Sequence, residues 1–246
     1  MKDGKTNLEK KNPFNERYED FKTFEKLLKR KTNQDDVPAA LEIKKNIPIY
    51  SGQLVRDYAN SSEKKQKLLT EWSNVFKSGA GIIAITNAIK SSSVIETATK
   101  IFEAIIKSEK INGNSGDHFA KPGANDRIWN SLQKHCMEDP QNFIDYYSSE
   151  VIALAAQSWL GPNYQITAQV NSVNPGGEAQ KPHRDYHLGF MSTEQSANFP
   201  PNVHTISQFL TLQGAIAHCD ITIDSGPTLF LPCLLYTSDA ADDVEC

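Results

Sequence analysis

Apolar residues recur at helical spacing in the first stretch of the chain. Phe14, Tyr18, Phe21, Phe24, Leu27 and Leu28 stand among charges and predict a helix over 14–31. Residues 36–52 carry Pro38, Pro48 and Gly52 and read as an extended connector. A second helix is expected to end with Leu68, Leu69, Trp72, Val75 and Phe76, stopped by Gly79. A short buried strand is expected over 82–86. The clearest helical pattern lies at 93–108. Ser93 and Glu96 have capping-box spacing there, and Val94, Ile95, Ala98, Ile101, Phe102, Ile105 and Ile106 form one stripe. A polar loop at 111–126 leads to helices expected at about 127–136 and 140–159, the second with Asp139 as N-cap and Pro140 at its first position.

From Tyr164 the period changes from helical to two. Ile166, Ala168 and Val170 alternate with Thr167, Gln169 and Asn171, so Gln169 and Asn171 share the polar face of a strand. Turn residues at 174–177, 200–201 and 225–227 separate further strands expected at 206–212, 215–223 and 229–231. Helices first and short strands later predict an α+β fold, a helical layer packed on a β-sandwich or barrel.

Composition narrows the classes. The chain has 246 residues, 39% hydrophobic and 23% charged, as a folded domain has. Its net charge of −4 and pI near 5.9 give no electrostatic reason to expect nucleic acid as a partner. No apolar run approaches the roughly 18–20 residues of a membrane helix, and the start has no apolar leader pattern. The cysteines (136, 219, 233, 246) lack metal or disulfide spacing, so reduced thiols in a cytoplasmic protein are expected. The last segment, CLLYTSDAADDVEC at 233–246, carries four acids and no base, and without it acids and bases balance at 26 each. It reads like the in-frame translation of a sequencing adapter, so a non-native tail is expected there. The domain reading is a charged helical segment at 1–36, an incomplete domain at 37–232 and that tail.

Candidate chemistry centres on His183-Arg184-Asp185. Residues i and i+2 of a strand face one side, so His183 and Asp185 can offer an imidazole nitrogen and a carboxylate oxygen to one ion. Such a pair is two-thirds of the two-His-one-carboxylate triad that leaves positions of Fe(II) open. The bare motif is weak, because His218-Cys219-Asp220 repeats it in mid-strand. The alternative for either is an incidental ion pair on a hairpin.

The stretch YQITAQVNSVNPGGEAQKPHRDYHLGF, followed by QGAIAHCDITIDSGPTLFLP, resembles the phytanoyl-CoA dioxygenase family of Fe(II)/2-oxoglutarate oxygenases over about residues 75–232. The resemblance implies a partial double-stranded β-helix (a jelly-roll, cupin-like) with N-terminal helices packed on it. It implies Fe(II), 2-oxoglutarate and O2 as metal, co-substrate and oxidant, and hydroxylation of a small organic substrate chosen by pocket loops. His183 and Asp185 become the iron ligands. Gln169 and Asn171 line the pocket, and Arg127 falls in a region similar to the family's co-substrate lysine or arginine. The bland readings stay open beside these: a solvent-facing strand for Gln169 and Asn171, and an exposed helix-start residue for Arg127. His118, Tyr186 and His187 are placed in loops or packing, and Trp72, Trp129 and Trp159 on helix stripes in the core.

After Pro232 the family continues Gly-Ser-His, whereas this chain has Cys233-Leu234-Leu235. The family's second iron histidine and the arginine for 2-oxoglutarate lie further on and have no counterpart here. The resemblance therefore implies a truncated and inactive oxygenase chain. A non-catalytic jelly-roll binding module is one alternative. Another is a whole enzyme with His204 or His218 as third ligand. The sequence sets no oligomeric state.

Overall fold

In a computed structural model, residues 25–26, 28–112, 123–175, 185–186, 188, 191–225 and 227–231 are described. Most of the helix expected at 14–31 lies outside them, as do His118, His183, His187 and the 232–246 tail. The chain is α+β, as expected: helices with two small sheets.

The stretch at 42–51, expected as a connector, is a hairpin. Strands β1 (Glu42–Lys44) and β2 (Ile47–Ser51) pair antiparallel across Lys45 and Asn46. Both turn residues have positive φ, 48° and 74°, the geometry that joins strands of right-handed twist through two residues. Helix α1 (Gly52–Ala59) follows directly, then α2 (Ser62–Ser78), and the chain returns as β3 (Ala84–Thr86), parallel to β2. Gly52 is required at the turn into α1, because a Cβ there would stand 2.3 Å from the Asn87 carbonyl oxygen.

One core gathers Tyr50, Val55, Leu68, Trp72, Val75, Val151 and Leu154. Trp72 is fully buried, and Tyr50 meets it edge-on with ring centroids 5.5 Å apart. Tyr50 Oη donates to Glu71 Oε1 at 2.8 Å, and the Ala39 amide donates to Glu71 Oε2 at 3.2 Å. The half-buried carboxylate thus ties the 37–40 segment to α2, and desolvation pushes its pKa up despite both donors.

Helix α3 (Ser92–Ile111) carries the expected stripe, with Ala98, Phe102 and Ile105 buried in a second core with Ile128 and Tyr146. Its N-cap is Ser91 rather than Ser93, and the Ser91 and Ser93 hydroxyls bond each other at 2.7 Å. The expected helix at 127–136 begins later. Residues Asn125–Ile128 form strand β4, and α4 spans Ser131–Glu138. Asp139 caps the next helix as expected, accepting from the Asn142 amide at 2.8 Å with Pro140 in first position.

The helix expected over 140–159 is two, α5 (Pro140–Tyr147) and α6 (Glu150–Leu160). The break is at Ser148-Ser149, where the Ser149 hydroxyl donates to the Ala88 carbonyl at 2.7 Å. That bond joins α6 to the end of the first sheet, a tertiary contact that periodicity does not encode. Strand β5 (Val170–Val173) pairs antiparallel with β4.

The later strands are corrected. Helices α7 (Thr193–Ser196) and α8 (Pro201–Phe209) form instead, so most of the strand expected at 206–212 is helical. Pro201 presets the first helical turn. The helix turns His204 and Gln208 inward and sets Phe209 flat on Trp159, centroids 5.4 Å apart. The residues at 215–222 and 227–231 have no sheet partner among the described residues, and Ile223–Ser225 is a 3-10 turn. Among the described residues no helix is long and apolar enough to cross a membrane.

Candidate functional site

The β4–β5 pair brings three of the expected site residues together. Register places Arg127 opposite Asn171 and Ile128 opposite Val170. Residues directly opposite in an antiparallel pair share a face, and side chains alternate along each strand. Ile128 and Val170 therefore turn to the second core, while Arg127, Asn171 and Gln169 occupy the other face. Arg127 Nη1 donates to Gln169 Oε1 at 2.8 Å, and its guanidinium lies 5.3 Å from the centre of the Trp129 ring. Such stacking holds a guanidinium while its charge stays in place. Arg127 is thus a half-buried strand residue, which corrects its reading as the start of a helix. Trp129 serves the arginine, where it was expected in a helical core stripe. Strand spacing two residues on from Arg127 would have revealed it.

The inner edge of the same pair is tied down by charge. Buried Asp126 accepts from Lys110 Nζ at 2.7 Å and from Asn174 Nδ2 at 3.1 Å. Asn174 also donates from its amide to the Ala124 carbonyl at 2.9 Å. The end of α3, the start of β4 and the end of β5 are joined there, on the flanks of the segments that carry His118 and His183.

His183 lies outside the described residues. Asp185 is half-buried, and its Oδ2 accepts from Gln213 Nε2 at 2.5 Å. Gln213 is a partner the sequence reading missed. It lies 28 residues away, and no motif links the two positions. The donor is a neutral amide, so it orients the carboxylate without cancelling the charge a divalent cation would need. A carboxylate so held, next to a histidine two residues earlier, is a donor set that suits Fe(II). Among the described residues no group of three His, Cys, Asp or Glu stands together.

The two histidines considered as third ligand are otherwise engaged. Thr99 Oγ1 donates to the Ile95 carbonyl at 2.7 Å, so it accepts from His218 Nδ1–H at 2.8 Å. His218 Nε2 then accepts from Tyr146 Oη at 2.7 Å. This fixes a neutral ring with both nitrogens occupied. Burial, and secondly the His135 imidazole, hold its pKa below 6.5. His204 donates from Nε2 to the Ser196 carbonyl at 3.0 Å, which leaves Nδ1 to accept from Tyr186 Oη at 3.1 Å. Neither ring presents a lone pair to an ion, which overturns the reading of either as the third ligand. His135, fully buried, bonds Asn142 Oδ1 at 2.8 Å among Phe102, Phe143, Tyr146 and Tyr147.

The chain matches the family model for phytanoyl-CoA dioxygenase (PhyH) over residues 22–233. That span contains β4–β5, Asp185 and Gln213, and the chain belongs to this family. Family membership places it among oxygenases of the Fe(II)/2-oxoglutarate type. Comparison with curated proteins and with solved structures finds no match.

Proposed function

We propose that this chain is the body of an Fe(II)- and 2-oxoglutarate-dependent dioxygenase that hydroxylates a small organic substrate. The observation that carries the reading is the family match across both the His183/Asp185 pair and the β4–β5 face. His183 and Asp185 hold the metal in this reading. Arg127, with Gln169 and Asn171 beside it, offers a charged and amide-lined face to 2-oxoglutarate. A guanidinium suits that role because its planar donors match a carboxylate. When bound, Fe(II) and 2-oxoglutarate supply the oxidising chemistry: with O2 and a C–H substrate the products are succinate, CO2 and the alcohol. The chain's part is to hold the co-substrate, orient the carboxylate ligand and shield the site. The proposed setting is a jelly-roll, of which β4 and β5 would be two strands. A cytoplasmic location belongs to the same reading.

By the family resemblance the third metal ligand and the arginine for the distal carboxylate are expected further along than Pro232, and His204 and His218, the alternatives within the chain, are engaged by other partners. The chain alone is expected to bind metal and co-substrate weakly and to turn over poorly.

Anaerobic titration with Fe(II) and 2-oxoglutarate tests this. The expected result is a visible charge-transfer band, lost in His183→Ala and in Asp185→Ala. Arg127→Ala should raise the 2-oxoglutarate concentration needed on the order of tenfold, the worth of one charge-assisted hydrogen bond. A wild-type chain without the band, in which a small ligand still raises the melting temperature, would favour a non-catalytic binding module.

A further inference from the structure

The segment after α8 is extended chain laid on the helices, and it alternates with period two. Leu212 packs on the first core and Ile216 on the second, while His218 spans Thr99 of α3 and Tyr146 of α5. The intervening residues Gln213, Ala215 and Ala217 are exposed. This is the side-chain alternation of a strand, imposed here by anchoring to helices. Gln213 therefore has its backbone held on both sides, by Leu212 before it and by Ile216 and His218 after it. Its side chain projects from the opposite face, and there its Nε2 donates to Asp185 Oδ2 at 2.5 Å.

We propose that Gln213 is a positioning residue for the metal site, fixing the rotamer of the Asp185 carboxylate so that it meets the ion without reorganising. The inference rests on the reading of Asp185 as a metal ligand and extends it to a residue that no motif marks. A half-buried carboxylate still has rotamer freedom to lose, and ordering it on binding costs affinity. A hydrogen bond from an anchored neighbour removes that cost beforehand. Glutamine suits the position because it is neutral. A lysine or arginine at 213 would order the same carboxylate but compete with the cation for its charge.

The test uses Co(II), which reports its ligand field in the visible and does not turn over. The full chain is compared as wild type, Asp185→Ala, Gln213→Ala and Gln213→Met, the last keeping length and packing while removing the donor. The expected result is Co(II) uptake by wild type, its loss in Asp185→Ala, and an affinity lower by roughly 10–100-fold in both Gln213 variants. The Co(II) band should also broaden or shift in both, while metal-free melting temperatures stay within a degree or so of wild type, as for an exposed side chain. Wild-type affinity and spectrum in Gln213→Met would overturn the positioning role and leave Asp185 as a ligand. Undiminished binding by Asp185→Ala, or none by wild type, would overturn the ligand reading and the positioning role with it.

Discussion

His218 shows how much a single side chain can decide. It links the extended 212–218 segment to two helices through a neutral ring whose tautomer is set by Thr99 and Tyr146. Burial and the His135 imidazole hold its folded pKa below the ordinary 6.5. The unfolded chain therefore binds a proton more readily than the folded one. The stability from neutral His218 is complete above 6.5 and declines as pH falls through the lowered folded value. Glu71, raised by burial, contributes with the opposite sign at lower pH, so the difference between variants is the informative quantity. Melting temperatures measured between about pH 7.5 and about pH 5 should fall more steeply for wild type than for His218→Phe. Parallel curves would show that the ring does not titrate with folding.

Among the elements, the helix pair α4–α5 carries the most local information. Asp139-Pro140 reads as a helix start in the sequence and is one in the structure, with the Asp139 carboxylate on the Asn142 amide. Asn142 in turn bonds His135 and the Val94 carbonyl, so the cap sits at the root of the second core. Asp139→Ala should cost about 1 kcal/mol by urea titration, the usual worth of an N-cap. A change within error would show that the cap adds nothing beyond the packing of Asn142. The β4–β5 pair is the opposite case. Its partners lie 42 to 48 residues apart, and the sequence pattern divides the four residues of β4 between a polar loop and a helix start near 127. Four residues are too few to distinguish a strand from a helix turn by pattern alone. Its pairing with β5, a long-range event, settled the matter.

At the scale of the whole molecule, two cores hold the helical layer, and the described residues after His218 lie outside both. Ile206, Leu210, Ile221, Ile223, Leu229 and Phe230 are more than half exposed, and Leu229 is 89% exposed. Large apolar side chains left exposed in this number promote association. The purified chain should sediment as concentration-dependent oligomers, and Leu229→Ser combined with Phe230→Ser should shift it toward monomer. A monomer at every concentration would remove this expectation.

The sequence by itself determined the features whose cause is local. The helices at 62–78 and 92–111 follow from their apolar stripes, the stop at Gly79 from its residue type, and the cap at Asp139 from its short carboxylate acceptor and following proline. The shared face of Gln169 and Asn171 follows from the two-residue repeat of extended chain. Tertiary structure alone decided which long-range partners these faces meet: Arg127 on Gln169 and Trp129, Gln213 on Asp185, His218 between Thr99 and Tyr146. It also turned 201–209 into a helix, because buried contacts of His204, Gln208 and Phe209 outweighed the alternation of a short apolar stretch. The division is physical. Periodicity and capping act within a few residues of chain, whereas a hydrogen bond across dozens of residues exists only once folding has offset the entropy of bringing its ends together.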